Sequence, residues 1–341
     1  MGEEALRFPM AVPEAGEPAL VAEGIFWLRL KLPFALDHVN LWIVDDGDGW
    51  TLVDTGLGDA PTKAVWQRLT TGFLAGRPIR RVLATHFHPD HAGNVGSLVA
   101  QTGAELLMSR TEWLTARMLA VDSSEEFVES GRQFDRACGV PEELLARRAS
   151  RGNKYRQGVD PLPYRFTRLQ AGQTVRLGGS RFEVIIGEGH SPEQVTLYAA
   201  ERRLLIAADQ VLPRISPNVA VWPSEPAADP LGGFLRSLDL YAGLDPETLV
   251  LPSHKLPFIG LHERIAQLQA HHAERLDATL AACRQRPSAW EATAVLFPRA
   301  LDLHQLGFAL GETLAHLNRL VASGQVRRTT DPDGVDRYEP A

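Results

Sequence analysis

Hydrophobic and polar positions along the 341-residue chain follow two rhythms. GIFWLRLKL (24–32), VNLWIVDD (39–46) and WTLVDTG (50–56) are rich in β-branched and aromatic residues and broken by Gly and Asp, which predicts strands. A helical stretch over 62–74, the apolar strand RVLAT (81–85), a helix over 95–101 and the strand AELLMS (104–109) follow. This alternation predicts an α/β fold. Residues 111–158 read as two or three helices with no strand between them, and so as an insertion.

Strands return with TVRLGGSRFEVII (174–186), TLYAA (196–200) and RRLLIAAD (202–209), with Gly-Gly and Glu-Arg in the hairpin turns. After LVLPSH (249–254) a long helix is predicted over 261–284, with Ile265, Leu268, His272, Leu276 and Leu280 on one face. Arg286-Pro287-Ser288 reads as a linker between a large unit, 1–284, and a small one, 288–341. The small unit reads as helices followed by a hairpin turning at Asp331-Pro332-Asp333-Gly334, the pattern of a winged-helix module.

Composition narrows the function classes. With 44% apolar residues the chain can build a sizeable core, and no run approaches the ~20 apolar residues that span a bilayer. The N-terminal MGEEALRFPM lacks a basic and an apolar signal region, and Leu6 stands where a myristoylation motif has Ser or Thr, so the expectation is a cytoplasmic protein. Cys138 and Cys283 are the only cysteines, which excludes a disulfide framework and a thiolate zinc cluster. Net charge is −7, and residues 288–341 hold five Arg and no Lys against seven acids, net −2. Neither favours nucleic acid, so packing or homodimerisation is the expected role of the small unit. Arg147, Arg148, Arg151, Lys154 and Arg156 form an acid-free stretch that reads either as a solvated helix end or as a rim attracting an anionic substrate.

Chemistry concentrates in THFHPDH, residues 85–91. On an extended segment His86 and His88 share a face, and Pro89 stiffens the turn that carries Asp90 and His91 into a helix. Four candidate ligands in six residues suit two neighbouring ions better than one. His190 after FEVIIGEG, Asp209 after LLIAA and His254 after LVLPS each follow an apolar strand, where sites assemble in α/β sheets. A carboxylate buried after LLIAA requires a cation or partner, which favours Asp209 as a bridging ligand. Imidazoles and carboxylates without thiolates suit Zn²⁺, with Fe or Mn admitted by ligand type. His262, His271 and His272 read as helix packing, His304 and His316 as surface residues. The Pro-rich segment after Asp209 is too irregular for a strand or helix, so Leu212, Ile215 and Trp222 are candidates to line a substrate pocket, as is His38. Nucleophile-elbow, Walker and dinucleotide-binding patterns are missing.

THFHPDH, LVDTG (52–56), Gly189-His190, Asp209 and His254 together resemble the metallo-β-lactamase superfamily, in order and approximate spacing, over roughly residues 20–260. The glyoxalase-II-like and nuclease-related branch is the nearest in pattern. The resemblance implies a four-layer αββα sandwich with a helical insertion, and two divalent ions. His86, His88 and His190 would hold the first, Asp90, His91 and His254 the second, with Asp209 bridging and Asp54 supporting the site from behind. It implies hydrolysis by a metal-bridging hydroxide, with Asp90 and Asp209 in catalytic roles. Glu193-Gln194 departs from the usual Gly-His, and Ser253 from the usual Gly; neither removes a ligand. The leading reading is a hydrolase of an ester, thioester or lactone, acting on a small molecule that is anionic or linked to an acyl carrier. The alternatives are a phosphodiesterase or endoribonuclease, a metal-containing regulatory protein without catalysis, and a mononuclear iron oxygenase on the same fold.

Overall fold

A computed structural model describes residues 6–341, apart from the side chain of His304. The Met-Gly start and the expected surface position of His304 therefore lie outside the described residues. The first sheet has seven strands in sequential order: β1 Ala19–Ala22, β2 Ile25–Lys31, β3 His38–Asp45, β4 Trp50–Val53, β5 Ile79–Leu83, β6 Glu105–Met108 and β7 Thr167–Arg168. It is antiparallel from β1 to β4 and parallel from β4 to β7. The parallel half needs crossovers, supplied by α1 Ala60–Thr71 and by α2 Pro89–Ala92 with α3 Val95–Thr102. Asp59 caps α1 by accepting from the Thr62 N–H at 2.9 Å, and Pro61 sits in its first turn.

The insertion between β6 and β7 contains four helices, where two or three were expected: α4 Arg110–Val121, α5 Glu125–Ala137, α6 Glu142–Ala149 and α7 Tyr155–Gly158. Local breaks account for the division. Ser124 caps α5 through the Phe127 N–H, Gly139 takes a φ of 81° before Pro141, and Gly152 takes 56° before α7. The second sheet comprises β8 Thr174–Leu177, β9 Ser180–Gly187, β10 Gln194–Ala199, β11 Leu204–Ala208 and β12 Leu249–Pro252, in the order β12-β11-β10-β9-β8.

The central strands of both sheets are buried on both faces, which explains their long apolar runs. In β3, Val39, Leu41 and Ile43 join the core under α1 and α3, while Trp42 and Val44 enter the core between the sheets. In β11, Leu204 and Ile206 face that inter-sheet core, and Leu205 and Ala207 pack against α8 Pro230–Asp239 and α9 Leu261–Cys283. The result is the four-layer α/β sandwich expected from the motifs.

The C-terminal segment consists of α10 Ala289–Leu296, α11 Leu303–Ala322 and the hairpin β13 Val326–Thr330 with β14 Asp336–Pro340. A capping box between Ser288 and Glu291 starts α10. Leu310, Leu314, Leu317 and Tyr338 share one core with Phe234 of α8 and Leu268 of α9. His316, expected at the surface, is buried in this seam, with Nε2 3.3 Å from Nδ1 of His272. Among the described residues no helix is long and apolar enough to cross a membrane. Cys138 and Cys283 are buried, and burial pushes both thiols up, Cys283 to about 11, so neither supplies a thiolate at neutral pH.

Candidate metal centre

The seven candidate ligands converge at the edge where strands of both sheets end. His86 follows β5; His88 starts α2, whose first-turn Pro89 places Asp90 and His91. His190 follows β9, Asp209 follows β11 and His254 follows β12. Gly189 makes the approach of His190 possible. Its φ is 97°, and a Cβ there would lie 2.4 Å from Cβ of Phe234 and 2.5 Å from the Pro230 carbonyl.

Three nitrogens form a tight triangle: His86 Nε2 to His88 Nδ1 2.9 Å, His88 Nδ1 to His190 Nε2 3.0 Å, His190 Nε2 to His86 Nε2 3.2 Å. Asp90, His91 and His254 form a second group, and His86, His91 and Asp209 a third. Asp209 lies between them. Its Oδ2 is 3.3 Å from Nε2 of His190, 3.3 Å from Nε2 of His254 and 3.6 Å from Nε2 of His91. Asp90 Oδ2 is 3.5 Å from Nε2 of His254 and 3.7 Å from Nε2 of His91.

The rear nitrogens decide which protons these rings carry. His190 Nδ1 donates to the Asn218 carbonyl at 2.8 Å, and His254 Nδ1 to the His38 carbonyl at 2.8 Å. His91 Nδ1 donates to Asp54 Oδ2 at 2.8 Å. Thr85 Oγ1 gives its own proton to Asp54 Oδ2 (2.8 Å) and so accepts from His86 Nδ1 (3.0 Å). In their neutral form all four rings therefore turn an unprotonated Nε2 toward the cluster. His91 Nε2 and Asp209 Oδ1 are buried there without a hydrogen-bond partner. Bare imidazole nitrogens and orphaned carboxylate oxygens aimed at one space fit divalent cations, and rear hydrogen bonds of this kind orient metal-ligating histidines.

The electrostatics agree. Burial and the neighbouring histidines hold His86 and His88 well below the usual histidine range, so they are neutral. Burial opposes charge on His91 and His254, yet the carboxylates, Asp90 and Asp209 foremost on His91 and Asp209 on His254, raise both. Burial works against the Asp209 anion too, and His254 and His91 hold it well below the usual carboxylate range. The site is built to attract positive charge.

The remaining expected residues sit around this centre in different ways. Asp54, with φ 63°, lies behind His91, and its Oδ1 accepts from the Thr85 N–H at 2.7 Å. His38 is 3% exposed. Its Nδ1 faces Asp37 Oδ1 at 2.5 Å and its Nε2 accepts from the Lys255 N–H at 2.8 Å, while burial lowers it to about 4. Leu212 is buried, Ile215 is half-buried and Trp222 is 44% exposed. Arg264 of α9 donates to the carbonyls of Leu212 (2.6 Å) and Ile215 (2.8 Å), fixing the segment whose Asn218 orients His190. In the basic stretch, Arg148 pairs with Asp135 at 2.6 Å and Arg156 donates to the Ala120 carbonyl, so these two serve the insertion itself.

Sequence reasoning missed the residues that brace the ligand loops. With its amide oxygen turned inward, Gln194 accepts from the Asp209 N–H (2.7 Å) and the Gln210 N–H (3.0 Å). Glu193 accepts from the Thr111 N–H at 2.7 Å, and its carbonyl accepts from Ser109 Oγ at 2.7 Å. Both residues of the Glu193-Gln194 departure thus have structural work here: Gln194 pins Asp209, and Glu193 docks the His190 loop on α4. Glu112 is the third missed residue, and its Ser-x-x-Glu context, Ser109 to Glu112, disguises it as a helix-capping acid.

Comparison with known proteins agrees with this geometry. The profile described as metallo-beta-lactamase superfamily matches residues 35–254, and that described as metallo-beta-lactamase-like, C-terminal domain, matches 276–341. A crystal structure of a beta-lactamase domain protein from Burkholderia ambifaria superimposes with a TM-score of 0.92 at 39% identity, covering 99% of each chain. A probable metallo-hydrolase, YqjP of Bacillus subtilis (strain 168), is 24% identical over 89% of this chain and 94% of its own length. The acyl-coenzyme A thioesterase MBLAC2 of Homo sapiens is 25% identical over 75% of this chain and 86% of its own. With the profile spanning more than half of the chain and every ligand position filled, the protein belongs to the metallo-β-lactamase superfamily.

Proposed function

We propose that this protein is a binuclear metal-dependent hydrolase that cleaves acyl thioesters. The carrying observation is the central carboxylate: Asp209 Oδ2 stands 3.3 Å from Nε2 of both His190 and His254 and so joins two ligand groups side by side. In this reading His86, His88 and His190 hold one ion, Asp90, His91 and His254 the other, and Asp209 belongs to both. Neutral imidazoles and carboxylates suit Zn²⁺, with Fe and Mn accepting the same set.

Such a pair of ions, when bound, supplies a water acidified toward a pKa of ~7 and a Lewis acid for a carbonyl oxygen. The protein's own groups do the rest. Asp54, Thr85 and the carbonyls of Asn218 and His38 hold four imidazoles in the tautomer that keeps Nε2 bare. Asp90, whose side chain is 19% exposed against 7% for Asp209, is the ligand carboxylate that meets solvent, and it holds the proton that the attacking water releases.

The likeness to an acyl-coenzyme A thioesterase supports a thioester with a bulky anionic carrier. Internal pairing of the C-terminal arginines argues against a nuclease. Arg319 pairs with Asp229, Arg327 with Glu339, Arg328 with Asp336, and Arg337 with Asp331 and Glu291, which leaves the hairpin little free positive charge. The test is a panel of acyl-CoA thioesters, lactones, bis-aryl phosphodiesters and RNA offered to zinc-loaded protein. Thioester turnover well above that of the other classes is expected; RNA cleavage without turnover of any carbonyl ester would replace this reading with the phosphodiesterase one.

A further inference from the structure

Glu112 is fully buried in the first turn of α4, 79 residues from its partner Ser191. One oxygen accepts from Ser191 Oγ at 2.6 Å and from the Glu193 N–H at 2.7 Å; the other accepts from the Phe87 N–H at 2.9 Å. Phe87 is the residue between His86 and His88, and Ser191 follows His190. A single carboxylate therefore ties together both chain segments that supply the three-histidine triangle.

The same peptide is held from its other side. Tyr155 of α7 donates its hydroxyl to the Phe87 carbonyl at 2.5 Å, and its ring lies 6.0 Å from that of Phe87. Tyr155 is placed by Asn153, whose amide donates to the carbonyls of Leu119 and Asp122 at the end of α4 and whose oxygen accepts from the Tyr155 N–H. Glu112 and Tyr155 thus hang from the two ends of one helix. No corresponding brace from the insertion reaches the second group among the hydrogen bonds of the described residues. There Asp54 holds His91 and the His38 carbonyl holds His254.

We propose that Glu112 and Tyr155 are positioning residues through which the helical insertion sets occupancy of the three-histidine metal position, independently of the other. Small displacements at either end of a histidine pair spread the triangle, because the Phe87 peptide fixes where both rings start. Residues behind metal ligands change affinity by about 10–100-fold when removed, and that range is expected here. The inference rests on the reading that the two groups hold ions.

The experiment uses the full chain as wild type, Glu112→Ala, Glu112→Gln and Tyr155→Phe, loaded with Zn²⁺ and separately with Co²⁺. Metal per chain is followed against chelators of graded strength, together with Co²⁺ visible absorption and the thermal midpoint. Wild type is expected to hold two equivalents. Glu112→Ala should release one of them about 10–100-fold more readily, with loss of one Co²⁺ absorption component and retention of the other. Tyr155→Phe, which keeps the ring and removes one hydrogen bond, should shift the same equivalent less, at a near wild-type midpoint. Glu112→Gln keeps an acceptor oxygen and should fall between Glu112→Ala and wild type. If Tyr155→Phe and Glu112→Gln keep both equivalents at wild-type affinity, or the variants lose both in parallel, the inference is overturned while the two-metal reading stands. If wild type itself binds fewer than two, the two-metal reading fails and the inference with it.

Discussion

Oδ2 of Asp54 receives two hydrogen bonds at once, from Nδ1 of His91 and from Oγ1 of Thr85, each at 2.8 Å. Through the first it fixes the tautomer of His91 directly, and through Thr85 that of His86. One side chain therefore sets two ligands, one in each of the outer groups. Asp tolerates the left-handed φ of 63° that this geometry requires because its short polar side chain bonds locally. Asp54→Ala should lower affinity for both ions by about 10–100-fold. Chelator competition measures it, and an unchanged affinity would show that Asp54 does not orient the ligands.

Arg264 anchors the segment behind His190. Arg264→Ala leaves the Leu212 and Ile215 carbonyls without their donor, and losing charged hydrogen bonds of this kind costs roughly 1.5–3 kcal/mol. A thermal midpoint lower by roughly 2–4 °C is expected by calorimetry. Arg264→Lys should recover part of it, since a single ammonium reaches one carbonyl but lacks the planar fork. A wild-type midpoint in the alanine variant would contradict the anchoring role.

Acid sensitivity should come from the seam between α9 and α11. Burial lowers His272 to about 3, helped by His316, His271 and Arg275, and lowers His316 to about 4, where the hydrogen bond to the Glu312 carbonyl raises it and Arg275 and His271 lower it. Glu312 in the same seam is raised to about 7 by burial and is drawn down by Arg275. An unfolded histidine takes a proton near pH 6.5 while these two do not, so the unfolded state binds more protons between about pH 6.5 and 4. Their contribution to stability is complete above about pH 6.5 and is lost as pH falls toward 4, each histidine adding a slope of up to about 1.4 kcal/mol per pH unit. Glu312 acts in the opposite sense over about pH 4.5–7, partly offsetting that slope. Denaturant unfolding at pH 7.5, 6 and 5 should show stability declining, and His316→Gln should flatten the decline. An equally steep decline in that variant would assign the acid lability elsewhere.

The ligands were legible in the sequence because four of them lie together in THFHPDH and the other three each follow an apolar strand. The residues that hold the ligands were not. Glu112 lies in a helical insertion far from any motif, and only the fold brings it to Phe87 and Ser191. Gln194 and Arg264 carry no local pattern, since their partners lie in loops whose paths depend on the finished fold. His316 looked like a surface residue because its apolar seam with α9 involves residues 44 positions away. Spacing reveals what one segment does for itself, whereas supports join segments that only folding brings together.

The proposed hydrolysis depends on ions held by this cluster, and a single titration decides whether it does. The protein is stripped by a strong chelator, its folded state confirmed by circular dichroism, and acyl-CoA hydrolysis followed while Zn²⁺ is added back in measured equivalents. No thioesterase activity is expected in the stripped protein, with recovery complete at two bound equivalents per chain and none in His86→Ala or Asp209→Ala. Full activity in the stripped protein, or recovery in either variant, would contradict it.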